Sequence, residues 1–456
     1  MWEAILPAEA LGLPGELTTV DRLLDDPVFI APFRAHFDPA SGRPSTPIDT
    51  YLRLMFLKHR HGLGYELLCR EVADSVSWQR FCRIPLGGRV PHPTTLVKLT
   101  RRVGEQAVDG LNQALLARAA ERKLLRTHKV RADTTVVAAN VTYPTDLGLL
   151  ARAVDKLATT AKRVQAAGGA SRTRVRDRRR AARRRAHQVA RAMRSRTGDA
   201  KQVVFEVTRQ VAGLAEAQLA DARRVVAGAR RTLARGRTQP AGRLRAVVEE
   251  LQTTIERTHR LLDQAHTRLA GGMPEGASRL VSLHDPDARP IRKGRLGHPV
   301  EFGYKAQVVD NADGIVLDHT VLVGNPPDAP LLAPAIGRVI ARTGRVPRAV
   351  TADRGYGEAH VDQELAGLGV ARVAVPRRGR AGPARQAVER QRGFRRLVKW
   401  RTGCEGRISQ LKHRYGWDRT RMDGIQGARI WCGHGVFAHN LVKVSGLLEA
   451  KHSKAA

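Results

Sequence analysis

Apolar residues recur at helical spacing through the first quarter of the chain. The segment Pro47 to Lys58 shows this clearly, because its apolar side chains stand three and four residues apart. Short helices separated by glycine and serine turns are typical of a helix-turn-helix module, and a helical bundle that serves only packing fits the pattern equally well. We therefore predict a helical, helix-turn-helix-like DNA-binding domain over residues 1–125, with helices at 47–58, 65–74, 76–82 and 94–123.

The period changes to two at residues 129–139, where β-branched residues dominate, so a strand is predicted there. The stretch that follows is rich in Ala, Arg, Leu and Gln, and its apolar residues return to helical spacing. This indicates two or three long antiparallel helices. We predict a helical insertion over residues 147–277, directly after the first strand.

Strands and helices alternate from residue 298 onward. Two strands at 300–310 and 315–323 are joined by the hairpin-type turn Asn311-Ala-Asp-Gly314. The remaining pattern predicts helices at 329–343, 360–368, 393–414 and 434–448, and strands at 348–352 and 371–375. Without the insertion, this order is that of an RNase H-like fold. We predict an α/β protein in which residues 126–146 and 278–448 form an RNase H-like mixed sheet flanked by helices.

The charge balance points to a polyanionic partner. Lys and Arg number 79 against 43 Asp and Glu, a formal net charge of +36 in 456 residues. Such an excess repels itself unless nucleic acid neutralises it, although an arginine-rich ribosome-associated protein would share the composition. Aromatic residues make up only 4%, which favours backbone contact with duplex DNA over stacking on single-stranded bases.

Other classes of protein are disfavoured. The four cysteines form no Cys-x-x-Cys pair, so neither a disulfide scaffold nor a zinc site is expected. No apolar run approaches the roughly 18–20 residues that cross a bilayer, and the N-terminus lacks the order of a signal peptide. We expect a soluble protein of the cytoplasm without a membrane partner.

The insertion carries a dense arginine block from Arg172 to Arg185. These side chains cannot pack inward, so they face solvent or phosphate. A solvated face is the ordinary explanation of a charge run, but the density of this block favours DNA contact. The predicted DNA-binding residues here are Arg178, Arg179, Arg183 and Arg184.

Three segments each carry one acid at a suggestive place. Asp133 lies in the first predicted strand, Asp353 ends a short buried strand, and Glu405 lies in the predicted helix 393–414. Phosphodiester chemistry is served by two divalent cations about 3.5–4 Å apart, held by carboxylates because Mg²⁺ prefers oxygen ligands. We predict that these three acids converge as catalytic and metal-binding residues for Mg²⁺, with Mn²⁺ as a substitute.

Two cations accompany the third acid. Arg401 and Lys412 stand four residues before and seven after Glu405, on one face of the predicted helix. They would hold DNA phosphates near the metals, although a surface ion-pair ladder explains this spacing alone more simply. Asp328 precedes a predicted helix and is expected to be its N-cap rather than a ligand.

These segments resemble the DDE transposases of bacterial insertion sequences. Residues 129–145 are similar to the first-Asp segment of that group, and Thr351-Ala-Asp-Arg-Gly-Tyr356 is similar to its second-Asp signature. Arg401, Glu405 and Lys412 match the signature Tyr-x₂-Arg-x₃-Glu-x₆-Lys, but Val398 stands at its tyrosine position. The resemblance implies an RNase H-like catalytic domain with Asp133, Asp353 and Glu405 as its metal-binding acids.

The resemblance implies a transposase that binds the terminal inverted repeats of its element, nicks them and joins the 3′-hydroxyls to target DNA. Its expected partner is double-stranded DNA, at element ends and at the target, and holding two ends together implies a homodimer or higher oligomer. Two alternatives stay open. One is a nuclease of the same fold that never joins, and the other is a catalytically silent DNA-binding protein derived from a transposase.

Overall fold

The structure is a computed structural model of the chain, described for residues 12–36, 45–192, 200–236, 241–293 and 299–454. The chain forms two compact units, one made of residues 1–140 and 304–456 and the other of residues 141–303. The division into three domains that the sequence suggests stays a prediction. No helix in the described ranges is long and apolar enough to cross a membrane.

The first unit begins with helices that pack around one another. Helix α2 is buried along nearly its whole length, from Thr50 to His59, whereas α3 buries only three side chains. Helix α5 starts with Pro93 at its first position, where the missing N–H costs no hydrogen bond. The elements are α1 (Gly15–Leu24), α2 (Ile48–Arg60), α3 (Tyr65–Asp74), α4 (Val76–Phe81), α5 (Pro93–Glu121) and β1 (Lys129–Ala138).

The described residues of the second unit form a helical bundle with four helices, where two or three were predicted. Helix α6 begins after Thr145, whose hydroxyl accepts a hydrogen bond from the amide of Gly148 at 3.1 Å. Apolar faces of α6, α8 and α9 pack together, and α7 packs on α6 and α8. The elements are α6 (Asp146–Ala166), α7 (Arg179–Ala192), α8 (Ala200–Ala234), α9 (Ala241–Leu269) and β2 (Arg289–Arg292).

The chain then returns to the first unit in alternating strands and helices. The predicted helix at 434–448 is longer than expected and starts at Gly424. The elements are β3 (Val300–Asn311), β4 (Val316–Val323), α10 (Ala329–Thr343), β5 (Ala349–Thr351), α11 (Ala359–Gly367), β6 (Arg372–Ala374), α12 (Pro383–Arg390), α13 (Arg392–Arg401), α14 (Gly403–Arg414) and α15 (Gly424–His452).

The strands of the first unit form one mixed sheet in the order β4-β3-β1-β5-β6. The hairpin of β3 and β4 is antiparallel, and β1, β5 and β6 run parallel to one another. The first residues of β3, Val300 to Gly303, pair with β2 instead. This sheet with its helices confirms the predicted α/β, RNase H-like fold class.

Helix α15 is the centre of the first unit. It is apolar around most of its circumference, as expected of a helix enclosed by protein, and it packs against α1, α2, α5 and β4. A Cβ added at Gly433 would lie 2.7 Å from Cγ1 of Val108 on α5. Glycine therefore permits close helix packing at a position where its low helix propensity would argue against a helix.

Candidate active site

The sheet register brings two of the predicted acids together. Arg131 on β1 pairs with Thr351 on β5 in the parallel ladder. Asp133 and Asp353 each follow two residues later, so they point the same way beyond the last paired residues. The side chain of Asp133 is 10% exposed, and that of Asp353 is half-buried.

The turn after β5 orients the second acid. The carboxylate of Asp353 accepts a hydrogen bond from the amide of Gly355 at 2.8 Å, which caps the short 3-10 turn Arg354–Tyr356. Tyr356 is fully buried beneath this turn, and its hydroxyl accepts a hydrogen bond from Nε2 of Gln307 on β3 at 3.1 Å. These bonds fix the direction in which the acid leaves the sheet.

The third acid reaches the site by a different local structure from the one predicted. The single helix predicted at 393–414 is wrong, because Thr402 separates α13 from α14. Around this junction Thr402 donates to the carbonyl of Lys399, and Glu405 donates to that of Thr402, both with the tighter i to i−3 spacing. Glu405 is therefore in the first turn of α14, exposed, and Lys412 lies half-exposed later on the same helix.

Arg401 joins the third acid to the first. Its Nη1 atom lies 3.0 Å from Oδ2 of Asp133, and its Nη2 atom lies 2.9 Å from Oε1 of Glu405. The side chain of Arg401 is 15% exposed, so its contact with Asp133 is largely sheltered from water, whereas its contact with Glu405 lies at the surface. This bridge connects β1 to the junction between α13 and α14.

The electrostatics show that the acids share one environment. Burial, together with the negative charges of Asp353 and Glu405, raises the pKa of Asp133 to about 6, against the lowering effect of Arg401. Burial and the charge of Asp328 raise the pKa of Asp353. Neighbouring carboxylates that disfavour one another's ionised form are the arrangement that a bound cation relieves.

Asp328 is a fourth acid at this place, and its predicted role as an N-cap is wrong. It stands at the N-cap position of α10, but its side chain makes no capping hydrogen bond. Its carboxylate instead lies 2.7 Å from Nζ of buried Lys305 and accepts a hydrogen bond from Thr134 at 3.1 Å. A Cβ added at Gly355 would lie 3.0 Å from carboxylate oxygens of both Asp328 and Asp353, so these two acids flank the turn.

The donor set fits a divalent cation of the magnesium type. The acids offer only carboxylate oxygens, which are the ligands that Mg²⁺ and Mn²⁺ prefer, and the charges of Asp353 and Glu405 are close enough to Asp133 to raise its pKa. In the arrangement described, no three His, Cys, Asp or Glu side chains of the described residues form a ready-made coordination cluster. The guanidinium of Arg401 stands between two of the predicted ligands.

Sequence reasoning missed several charged residues around the acids. Arg131, Lys305 and Asp310 are all buried in the central strands and make ion pairs there. A signal was present, because a charged residue inside an otherwise apolar strand must be paired if the strand is buried. The pattern does not identify the partner, which comes from another element in each case.

The predicted arginine block lies in the second unit, and its members differ. Arg178 is largely buried and donates to the carboxylate of Asp221 at 2.5 Å. Arg179 and Arg183 form ion pairs with other acids of the same unit. Arg184 is exposed, and no ion pair is found for it within the described part of the chain. Arg183 and Arg184 are the exposed members of these four, and of the two only Arg183 has an ion pair among the described residues.

Comparison with known proteins supports the resemblance. Residues 3–102 match the family described as Transposase domain (DUF772), and residues 278–441 match the family described as Transposase DDE domain. A Rhizobium meliloti protein named "Uncharacterized protein ORF8 in nfe locus" is 30% identical over 127 residues, which are 27% of this chain and 61% of that protein. No solved structure matches. With two transposase families matched over more than half of its length, the chain belongs to the DDE transposases of insertion sequences.

Proposed function

We propose that the transposase cleaves and joins DNA with Asp133, Asp353 and Glu405 as its catalytic, cation-binding acids. The observation that carries this proposal is the bridge that Arg401 makes between Asp133 and Glu405. The parallel register of β1 and β5, which aligns Asp133 with Asp353, adds the third acid. Three acids that are distant in sequence thereby share one electrostatic environment.

The three acids would hold Mg²⁺, with Mn²⁺ as a substitute. Such cations, when bound, would supply activation of the attacking hydroxyl and neutralisation of charge on the phosphate. The protein contributes a buried Asp133, a turn that aims Asp353, and an exposed Glu405 at the solvent side. Asp328 adds negative charge beside Asp353, and Lys305 balances it.

Arg401 supports the acids before DNA arrives. Its positive charge lies against two carboxylates, and it opposes the rise in the pKa of Asp133. The same guanidinium is suited to bind a phosphate by paired hydrogen bonds, as arginine commonly does. We assign Arg401 and Lys412 as contacts to DNA phosphates near the scissile bond.

Charge supports duplex DNA as the partner. The chain carries a net charge of +36, and α7 contains six arginines and no acid. We propose that the arginine block, with Arg178, Arg179, Arg183 and Arg184, contacts the phosphate backbone of element ends and target. Holding two ends together requires a homodimer or a higher oligomer, acting on the bacterial nucleoid in the cytoplasm.

The direct test is cleavage of DNA that carries the ends of the element. Asp133→Asn, Asp353→Asn and Glu405→Gln should each abolish Mg²⁺-dependent nicking while the protein still binds the same DNA in a mobility-shift assay. Glu364→Gln removes an exposed carboxylate from α11 and serves as the matched control, with nicking unchanged. Normal cleavage by any of the three variants removes that residue from the mechanism.

Joining separates the proposal from its closest alternative. Pre-nicked ends are supplied with a supercoiled target plasmid, and products are analysed for covalent linkage. A transposase gives joined products that depend on the three acids. Nicking without joining identifies a nuclease, and binding without nicking identifies a regulatory protein.

A further inference from the structure

A buried carboxylate beneath the site holds two arginines. Asp310 on β3 has a fully buried side chain. It accepts two hydrogen bonds from Arg131, from Nε at 2.7 Å and from Nη2 at 2.9 Å, and a third from Nε of Arg407 at 3.3 Å. The paired geometry with Arg131 is the strongest form of an arginine–carboxylate contact.

Arg131 extends this contact to the junction between α13 and α14. Its remaining nitrogen, Nη1, donates to the carbonyl of Trp400 at 2.8 Å, and its guanidinium stacks 4.5 Å from the ring centroid of the same residue. Trp400 immediately precedes Arg401. Arg131 also lies two residues before Asp133 on the same face of β1, so one side chain links the strand of the first acid to the helix end that carries Arg401.

Arg407 makes the matching connection on the other side of the junction. It lies two residues after Glu405 on α14, and its guanidinium is 11% exposed. Through Asp310 it attaches the helix that carries Glu405 to the central strand β3. The two arginines therefore fix both sides of the break at Thr402 to one carboxylate of the sheet.

Two glycines leave the space that these arginines occupy. A Cβ at Gly403 would lie 2.8 Å from Cζ of Arg131 and closer still to its Nη1. A Cβ at Gly314 would lie 2.5 Å from Cζ of Arg407, at a position where φ is +78° and glycine is favoured in any case. The backbone on both sides is thus shaped around the guanidiniums.

We propose that Asp310 is a positioning residue of the active site, which acts through Arg131 and Arg407 to place Arg401 and Glu405 beside Asp133. The inference rests on the proposed function and adds a residue outside the acidic triad. A buried set of charges is poor evidence of stabilisation, because apolar side chains of similar volume often serve as well. A role in positioning Arg401 and Glu405 explains why Asp310, Arg131 and Arg407 are charged residues rather than apolar ones.

The test compares two buried aspartates of the same sheet. Asp318 on β4 has a side chain that is 1% exposed and pairs with Arg338 at 2.8 Å and Arg342 at 3.0 Å, both on α10. It matches Asp310 in burial and in its two arginine partners, but those arginines do not touch the junction at Thr402. Asp310→Asn and Asp318→Asn should therefore lower the melting temperature to a similar extent.

The two variants should differ in catalysis. In single-turnover cleavage of pre-bound end DNA with Mg²⁺, Asp310→Asn should lose about 100-fold in rate, the scale expected when a catalytic group is displaced by about 1 Å. Its affinity for DNA should stay at the wild-type value, and its affinity for Mn²⁺, followed by electron paramagnetic resonance, should weaken. Asp318→Asn should keep the rate and both affinities.

A second variant covers failure of Asp310→Asn to fold. Arg407→Met leaves the pair of Asp310 with Arg131 intact and removes the link to α14, together with a contact to Gln410 within that helix, with an expected loss of about tenfold in rate. Equal cleavage by Asp310→Asn and Asp318→Asn, or wild-type cleavage by Arg407→Met, overturns the positioning role. A wild-type protein that neither binds Mn²⁺ nor cleaves overturns the proposed function itself, and the inference with it.

Discussion

The substitution Gly403→Ala probes the contact between the sheet and the junction that precedes Glu405. Gly403 is the first residue of α14, and its added methyl group would lie 2.8 Å from Cζ of Arg131. The guanidinium is confined by its two bonds to Asp310 and by its bond to the carbonyl of Trp400. It must move, and the bond to Trp400 is the one that the methyl group displaces most directly.

Two opposing contributions set the magnitude. A hydrogen bond from a charged donor contributes about 1.5–3 kcal/mol when both partners are sheltered. Replacing glycine by alanine in a helix contributes about 0.8–1 kcal/mol in the opposite direction. The expected net effect of Gly403→Ala is a loss of about 1–2 kcal/mol in the free energy of unfolding. In a unit of this size that corresponds to a few degrees in melting temperature.

Gly406→Ala is the matched control on the same helix. Gly406 directly follows Glu405, it is exposed, and an added Cβ would meet nothing within 4 Å. The helix-propensity term then acts alone, and the variant should be more stable than the wild type by about 0.5–1 kcal/mol. Guanidinium denaturation of the two variants, followed by circular dichroism, should therefore give shifts of opposite sign.

The sign of the change in unfolding free energy of Gly403→Ala shows whether Arg131 is confined against residue 403. A variant as stable as Gly406→Ala would mean that Arg131 has room to accommodate a side chain at residue 403. The contact to Trp400 would then have no role in holding the junction. A destabilised Gly403→Ala that retains cooperative unfolding supports the described packing.

Three further predictions concern other parts of the chain. Burial lowers the pKa of His439 to about 3, so folding disfavours its protonation, and stability present at pH 7 should be lost as the pH falls below about 6.5, by up to about 1.4 kcal/mol per pH unit. In urea melts at pH 7 and pH 5, the free energy of unfolding of His439→Gln should therefore depend less on pH than that of the wild type. An equal dependence on pH in the two proteins would contradict this. Asp328→Asn leaves Lys305 buried without its carboxylate partner and should lower the free energy of unfolding by about 3 kcal/mol. Adding Lys305→Met should recover most of that loss. Strictly additive effects in a double-mutant cycle would count against an interaction between Asp328 and Lys305. Arg184→Ala should reduce the slope of log DNA affinity against log salt concentration by about one, which fluorescence anisotropy over a salt series measures. Arg178→Ala should leave that slope unchanged and lower the stability of the protein instead, because Arg178 is paired with Asp221.

The order of β1, β3, β4, β5 and β6 along the chain followed from periodicity. The change from helical to two-residue spacing located β1, and the hairpin turn after Asn311 located β3 and β4. These features depend on neighbours along the chain, so the pattern contains them. Asp133 could be singled out because it lies inside a predicted strand, and Asp353 because it directly follows one; the resemblance to the transposase signatures points to the same two residues.

Tertiary structure decided how the charged residues pair. Arg131 and Asp310 are 179 residues apart, and Arg401 and Asp133 are 268 apart. Periodicity predicts the face on which a side chain lies, but not the residue from another element that meets it there. The break at Thr402 likewise lies beside a contact that the pattern does not contain, since Arg131 from β1 donates to the carbonyl of Trp400.

The residue order of this chain therefore determined its fold class, its excess of positive charge and the strand segments that carry Asp133 and Asp353. Only the folded structure showed that the side chain of Asp328, at the N-cap position of α10, contacts Lys305 instead of capping the helix, and only it separated the paired Arg178 from the exposed Arg184. The physical reason is that burial and pairing of charge depend on distances through space. Those distances exist only once the sheet and its helices have packed.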